Sequence, residues 1–392
     1  MRRSSRSLML ALGALSAFGP ISLDVYLPSL PQLADELGAS ESLAQFTMSA
    51  CMIGLALGQL VWGPVSDRYG RRVPLILAVS GFTALSVACA FAPTIEVLIA
   101  VRFVQGLCGA AGMVIARAIV HDVFSGAGAI AAYSTLAAVM GVAPVLAPLV
   151  GGAVATLAGW RGVFIALALI GILLVALSDF AVPETLAPAQ RTSGGVVNDV
   201  RGVTIALRNG TFMLTAATLA VASLALFGYL QMSPFVLQEQ YGLDTQGFAV
   251  VFAVNAVGIM LAAQLNRRLA GRMPVARAVQ WSLTIGIAAA TALVLAAVFG
   301  SSLPWLLAPL FLAISMHGVN NPGLTALALG RIQRGAGSAS AVLGTLPLLL
   351  GAIVPPLLSG LGVSAVLLGA TMLGAFVGAL ALLLLTRALP HR

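Results

Sequence analysis

The sequence has no lysine: all 20 of its basic residues are arginine. A phosphate-gripping loop of the G-x-x-x-x-G-K-[ST] type needs that lysine, and so does a pyridoxal Schiff base. Nucleotide hydrolysis within the chain is therefore excluded, no cofactor is expected, and an ion gradient is left as the energy source for any uphill work. Cysteine is equally sparse. Cys51, Cys89 and Cys108 lie inside apolar stretches without C-x-x-C spacing, so neither a disulfide framework nor a metal site is expected. The three histidines, His121, His317 and His391, are scattered and supply no clustered acid, base and nucleophile. The chain is read as not an enzyme.

Charge of either sign is scarce too, at 8% of 392 residues, where a soluble domain carries about 25%. What fills the chain instead is apolar: 60% hydrophobic residues, 42 glycines and a mean hydropathy of +1.04. Such a chain cannot cover a globular surface and belongs in a bilayer. Apolar stretches recur at 8–27, 43–65, 74–92, 96–119, 129–155, 162–182, 211–233, 246–265, 278–299, 305–329, 337–359 and 363–386. Most reach the roughly 20 residues that cross a hydrocarbon core, which predicts an all-α membrane protein of twelve spans. The first, behind Arg2, Arg3 and Arg6, runs into Asp24 and a proline pair without a small-residue cleavage site, so it reads as a span and not as a signal peptide.

The net charge of +8 and pI of 10.4 suggest nucleic acid until the charges are placed. With the N-terminus inside, the inner loops hold Arg68, Arg71 and Arg72, Arg191, Arg201 and Arg208, Arg267, Arg268, Arg272 and Arg277, and Arg331 and Arg334, with Arg387 and Arg392 at the tail. The outer side carries Arg161 against Asp35, Glu36, Glu41, Glu96, Glu239 and Asp244. This asymmetry predicts both termini in the cytoplasm and explains the pI without nucleic acid. The bilayer is the partner it implies, and the protein is expected to be a monomer.

The longest polar break divides the chain into a six-span half at 1–182, a cytoplasmic linker at 183–210 and a second half at 211–392. Shifting by 203 aligns Tyr26-Leu27 with Tyr229-Leu230, Pro31 with Pro234, Gly141 with Gly344 and Pro144 with Pro347. Matching places in matching spans imply a parallel repeat, as in transporters that rock about a site at the bilayer midplane.

An ionisable residue inside the hydrocarbon is a functional hypothesis by default, and Asp24 and Arg102 qualify. Each is expected about six residues, roughly 9 Å, from the outer end of its span, so the two are at matched depth and able to meet. One reading is a titratable carboxylate beside an arginine; the other is a static ion pair. Phe227 stands at the matching position of the second half, so the scaffold does not require the charge. Between spans 2 and 3, Gly63, Asp67, Arg68, Gly70, Arg71 and Arg72 offer a tight turn and a charge network able to break and reform, or simply a topology-fixing arginine cluster. Gly141, Pro144, Pro148 and Gly152 share one face of span 5, and Gly344, Pro347, Gly351 and Pro355 one face of span 11. Such faces allow close packing and a bend, as a hinge or as plain structure. Gln105, Asn255, His317, Asn320 and Asn321 at mid-depth, with Tyr26, Tyr229 and Gln231 nearer the outer end, are candidates to line a cavity or to tie helices together. His317 is a possible second titratable group or a donor to a backbone carbonyl.

These residues resemble the major facilitator superfamily of secondary transporters. Gly63 to Arg72 looks like its loop G-x-L-x-D-R-x-G-R-R, with Val65 for the leucine. Arg102 to Gly106 looks like R-x-x-Q-G, and Gly141 to Gly152 like the span 5 motif of its antiporters. Asp24-Val25-Tyr26-Leu27-Pro28 with Pro31, Ser233-Pro234-Phe235-Val236 and Gly335 to Ser340 are similar to motifs of the Bcr/CflA drug-resistance exporters; Pro347 departs from many relatives. The resemblance implies a proton-coupled antiporter in the bacterial inner membrane that exports hydrophobic drug-like molecules of the chloramphenicol, florfenicol or bicyclomycin kind. It gives Asp24 and Arg102 proton coupling, Asp67 with its arginines the inner gate, and Gly141 to Pro148 the antiport hinge. Export of an endogenous metabolite or self-made antibiotic is the same-class alternative. Uptake by symport fits the span 5 face less well, and a non-transporting sensor would not need Asp24 to titrate.

Overall fold

The computed structural model describes residues 2–191, 207, 209–269, 271–332 and 336–388. Arg201, Arg208, Arg334, Gly335 and Arg392 lie outside the described residues, as do most of the 183–210 segment and the side chains of Arg2, Arg3, Arg6, Ala336 to Ser338 and Arg387. Every regular element among the described residues is helical: α1 Arg2–Asp24, α2 Leu30–Glu36, α3 Glu41–Tyr69, α4 Arg72–Ala90, α5 Ile95–Val123, α6 Gly126–Ala181, α7 Gly210–Phe235, α8 Thr245–Leu269, α9 Val275–Val298, α10 Leu303–Ser315, α11 His317–Leu329, α12 Ala336–Ser359 and α13 Ala365–Ala388. They fall into two compact units, Met1–Val197 and Asn198–Arg392.

Eleven helical runs are long and apolar enough to cross a membrane among the described residues. The longest, Gly128–Ala181, has 54 residues and would stretch about 81 Å if straight. Gly159 interrupts it with φ of +66° and ψ of −176°, a conformation that glycine adopts without a Cβ penalty. The run is thus two spans joined by one broken residue, and the total is twelve. The first span departs from expectation at its outer end. It continues past residue 27 through a 3-10 turn, Leu27–Ser29, into α2, because Pro28 and Pro31 fall in the first turns of these elements, where the missing N–H costs nothing. The tenth span is broken at Met316, between α10 and α11.

Glycine sets the tightest crossings in each unit. A Cβ at Gly106 of α5 would stand 2.1 Å from the Cys51 carbonyl oxygen of α3, and one at Gly54 of α3 2.1 Å from the Phe103 oxygen of α5. In the second unit a Cβ at Gly318 of α11 would stand 2.1 Å from the Ile259 oxygen of α8. Backbones meeting this closely replace the hydrophobic drive that lipid cannot provide between helices.

The ends of the spans opposite the arginine-rich loops are tied within each unit. Glu36 of α2 accepts hydrogen bonds from Trp160 Nε1 (2.8 Å) and Arg161 Nη1 (2.6 Å), just after the Gly159 break. In the second unit Gln240, closing a π turn at Val236–Gln240, donates to the Val363 carbonyl (2.8 Å) and accepts from the Ala365 amide (3.0 Å).

Candidate functional site

The first unit buries a guanidinium. Arg102 is fully buried, on α5. Its Nη1 donates to Gln105 Oε1 at 2.7 Å, and its Nη2 to the Ser22 carbonyl at 3.3 Å. The ring of Tyr26 lies under it, 4.4 Å from the guanidinium carbon, with Phe164 at 5.5 Å. Gln105 is fixed in turn by donating to Ser86 of α4 at 2.7 Å, and Cys89 Sγ is 3.7 Å from its oxygen. Tyr26 exchanges a 3.0 Å hydrogen bond with Thr47 of α3. Arg102 Nε, also buried, has no partner. The Ser22 carbonyl is available because α1 stops at Asp24, and the last carbonyls of a helix lack intrahelical donors.

Asp24, the last residue of α1, is 9% exposed, yet its carboxylate makes no hydrogen bond or ion pair among the described residues. The two residues that the sequence places at matched depth, able to meet, do not form an ion pair here: among the described residues no carboxylate lies within salt-bridge reach of Arg102. Asp24 nevertheless lies between Ser22 and Tyr26, both of which contact Arg102, so these contacts agree with the expected matched depth of the two residues. The unit thus holds a buried cation and a buried acid separately, an arrangement that a proton or a change of helix position can alter at low cost compared with breaking a buried pair.

At the arginine-rich end, the loop between α3 and α4 is built around Gly70, whose φ is +91° and where a Cβ would stand 2.3 Å from Glu184 Oε2. Glu184 accepts from the Arg71 amide (2.9 Å) and the Arg72 amide (3.3 Å), so its carboxylate caps the open N-terminus of α4. Burial pushes the Glu184 pKa up, but the Arg71, Leu186 and Arg72 amides and the Arg191 charge outweigh it and hold the carboxyl below its ordinary value. Arg71 donates to Asp122 Oδ2 (2.9 Å), Ser66 Oγ (2.9 Å) and Asp67. Burial alone would lower its pKa; Asp122 and Asp67 raise it above the ordinary value. Arg72 reaches the Asp179 side chain at 2.6 Å. Arg68 stacks on Tyr69 at 5.3 Å, while Gly63 leaves room near Val114. Asp122, Asp179 and Glu184 are partners that the sequence reading missed. The signal was present, as acids at the ends of spans 4 and 6 and in the Pro183-Glu184-Thr185 stretch, on the side otherwise marked by arginine. The 183–191 segment is accordingly fastened to the α3–α4 loop.

On the glycine–proline face of α6, a Cβ at Gly151 would stand 1.7 Å from the Val25 carbonyl oxygen, whereas one at Gly141 meets nothing within 4 Å. Contact with the turn that follows α1 thus falls at Gly151, with Pro148 and Gly152 also buried and Pro144 half-buried. In α12 Gly351 plays the matching part: a Cβ there would stand 2.3 Å from the ring of Phe227, and Gln231 Nε2 donates to the Gly351 carbonyl at 2.7 Å.

Several candidate lining residues are internal ties. Tyr26 and Gln105 belong to the Arg102 cluster. Tyr229 accepts from Asn255 at 2.9 Å and stacks on Phe252 at 5.4 Å. Asn320 is 2% exposed, and both its amide atoms lack partners. His317, just after the Met316 break, is half-buried, and Asn321 is exposed; neither makes a hydrogen bond among the described residues.

Residues 10–355 match the Major Facilitator Superfamily. An uncharacterised MFS-type transporter, YdgK, of Bacillus subtilis is 37% identical, covering 97% of this chain and 96% of that one. A bicyclomycin resistance protein homolog of Haemophilus influenzae is 28% identical over 92% and 90%, and the multidrug resistance protein MdtL of Escherichia coli 31% identical over 62% and 61%. Among solved structures, a bacterial homolog of the human lysosomal transporter Spinster, inward-facing and unoccupied, superposes with a TM-score of 0.75 at 18% identity, covering 99% of this chain and 96% of that one. The nucleoside transporter NupG superposes at 0.77 with 12% identity, covering 97% and 99%. The twelve spans, the buried charges of the first unit and these matches converge: the chain belongs to the major facilitator superfamily and is a multi-pass membrane transporter, not an enzyme.

Proposed function

We propose that the protein is a proton-coupled antiporter of the bacterial inner membrane, with both termini in the cytoplasm, acting as a monomer and exporting hydrophobic small molecules. The names of two relatives, a bicyclomycin resistance protein homolog and a multidrug resistance protein, support antibiotics as cargo, and the motif resemblance adds the chloramphenicol, florfenicol or bicyclomycin type. The observation that carries the reading is the unpartnered, buried Asp24 in the same unit as the buried, carboxylate-free Arg102. A carboxylate in such a place is stable only when neutralised, so a proton entering from outside favours one arrangement of the helices, and its loss inward favours another. Arg102, held by Gln105 and Tyr26, supplies the positive field that makes proton release possible. In this reading the network of Asp67, Arg71 and Arg72 is the inner gate, and the contact of Gly151 with Val25, just after α1, is where the hinge bears, with Gly141, Pro144, Pro148 and Gly152 along the same helix. His317 and Asn321 are the lining residues left open to a ligand.

Expression in an efflux-deficient host across a compound panel tests this, with Asp24→Asn at equal membrane abundance. Resistance to at least one hydrophobic antibiotic, lost in Asp24→Asn, is expected, together with substrate-driven proton movement in vesicles. Resistance that survives Asp24→Asn removes this carboxylate from coupling. If no compound is protected and no proton moves, drug antiport is wrong and an endogenous metabolite becomes the cargo to test.

A further inference from the structure

A groove of about 570 Å³ opens between α4 and the second half of α6, lined by Ile76, Thr83, Ala84, Ile172, Ala176 and Phe180 among others. One end is closed where the helices touch: a Cβ at Gly171 would stand 2.3 Å from Thr83 Oγ1. Thr83 donates that hydroxyl to the Val79 carbonyl of its own helix at 2.8 Å, so its polar atom is already engaged. At the other end the lining includes Asp179, whose carbonyl (2.8 Å) and carboxylate (2.6 Å) accept from Arg72 Nη2. Between them the groove follows α4 from Ile76 to Ala84 and α6 from Phe180 back to Ile172, about 12 Å at about 1.5 Å per residue.

These features select an occupant. The groove lies between two membrane-spanning helices and is flanked by Leu173 and Phe180, 68% and 88% exposed, so its open side faces hydrocarbon. A drug-like ligand is usually enclosed over most of its surface, which this groove does not provide. Its length is close to the roughly 15 Å of one leaflet's hydrocarbon. At the arginine-rich end Arg72, whose side chain is 39% exposed, retains an unused donor: its Nη1 makes no hydrogen bond among the described residues. A guanidinium with free N–H groups at the mouth of an apolar groove suits a phosphate, and basic pockets between spans on the cytoplasmic side hold anionic headgroups.

The geometry points to a binding site for one anionic phospholipid of the inner leaflet, an acyl chain lying between α4 and α6 and its phosphate on Arg72. The headgroup then competes with Asp179 for the arginine that also takes part in the loop capped by Glu184, so bound lipid bears directly on that network. The inference stands apart from drug export and would hold for any cargo.

The test is native mass spectrometry of the full chain released from nanodiscs of equal parts phosphatidylglycerol and phosphatidylethanolamine. Wild-type protein is expected to retain one phosphatidylglycerol. Ala176→Trp and, from the opposite wall, Ile76→Trp should each lower its occupancy about tenfold, as when about two methylenes leave the groove. Arg72→Gln should keep a bound lipid but cut the preference for phosphatidylglycerol about fivefold. Val377→Trp, an exposed site in the second unit, should leave the bound lipid in place. Equal retention of the two lipids by the wild type, or occupancy undiminished in both groove-filling variants, overturns the site. Should one tryptophan variant fail to fold, the other and Arg72→Gln still decide.

Discussion

Arg102 lays its guanidinium over the ring of Tyr26, 4.4 Å from the centroid, and not against Asp24. A cation over an aromatic face in a desolvated site gains about 2 kcal/mol, less than the several kcal/mol that burying an unpaired ion costs. The fold therefore keeps a charge that its stability does not require.

Arg102→Met is the first consequence. It removes the desolvation cost and leaves Gln105 still bound to Ser86, at a loss of about 1 kcal/mol for each of two hydrogen bonds, to Gln105 and to the Ser22 carbonyl. Thermal melting in detergent should show stability unchanged or raised by up to about 2 kcal/mol, while proton-coupled transport is abolished. A variant melting well below wild type, or one still pumping, contradicts this account.

Gly151 and Gly141 should respond in opposite ways to alanine. At Gly151 the new methyl group collides with the Val25 carbonyl, a backbone atom that cannot rotate away, so a loss of about 2–3 kcal/mol and poor folded yield are expected. At Gly141 there is open space, and alanine should be neutral or stabilising by up to about 1 kcal/mol. Comparing folded yield and melting temperature of the two variants decides, and equal behaviour would refute the contact between Gly151 and Val25.

Glu184 gives a pH dependence with a definite sign. Its pKa in the folded protein lies below the ordinary carboxylate value, so its contribution is fully present above that ordinary value, about 4.3, and fades as pH falls through the lower folded value. Glu184→Gln should therefore melt lower than wild type at pH 7, by about 1–3 kcal/mol, with the gap closing under strong acid. A gap that widens on acidification would show the sign to be wrong.

The spans were legible because apolar length is a one-dimensional property. Even the Gly159 break fell between two apolar stretches, 129–155 and 162–182. What sequence could not supply was partnership. Glu184 meets Arg71 across a separation of 113 residues, and no periodicity links the two. The extent of the first span was misread for a related reason: Pro28 and Pro31 looked like its end, yet they fit the start of the next helical turns. Polar residues in apolar spans were correctly singled out. Their uses diverged only in three dimensions, Gln105 as a brace for Arg102 and Gln231 as a tie to Gly351.

The ties opposite the arginine-rich loops in the two units, Glu36 on Trp160 and Arg161 and Gln240 on Val363 and Ala365, stand at corresponding places but differ in chemistry. Taken as the record of a duplicated ancestor, they show which inheritance was kept: the position of a fastener survived, while its charge was free to drift. The same drift runs through the interior. The buried charged residues among those described, Asp24, Arg71 and Arg102, all belong to the first copy, and the second has kept the architecture without them. Among the described residues, one unit thus carries the buried charges and the other repeats the helical arrangement without them.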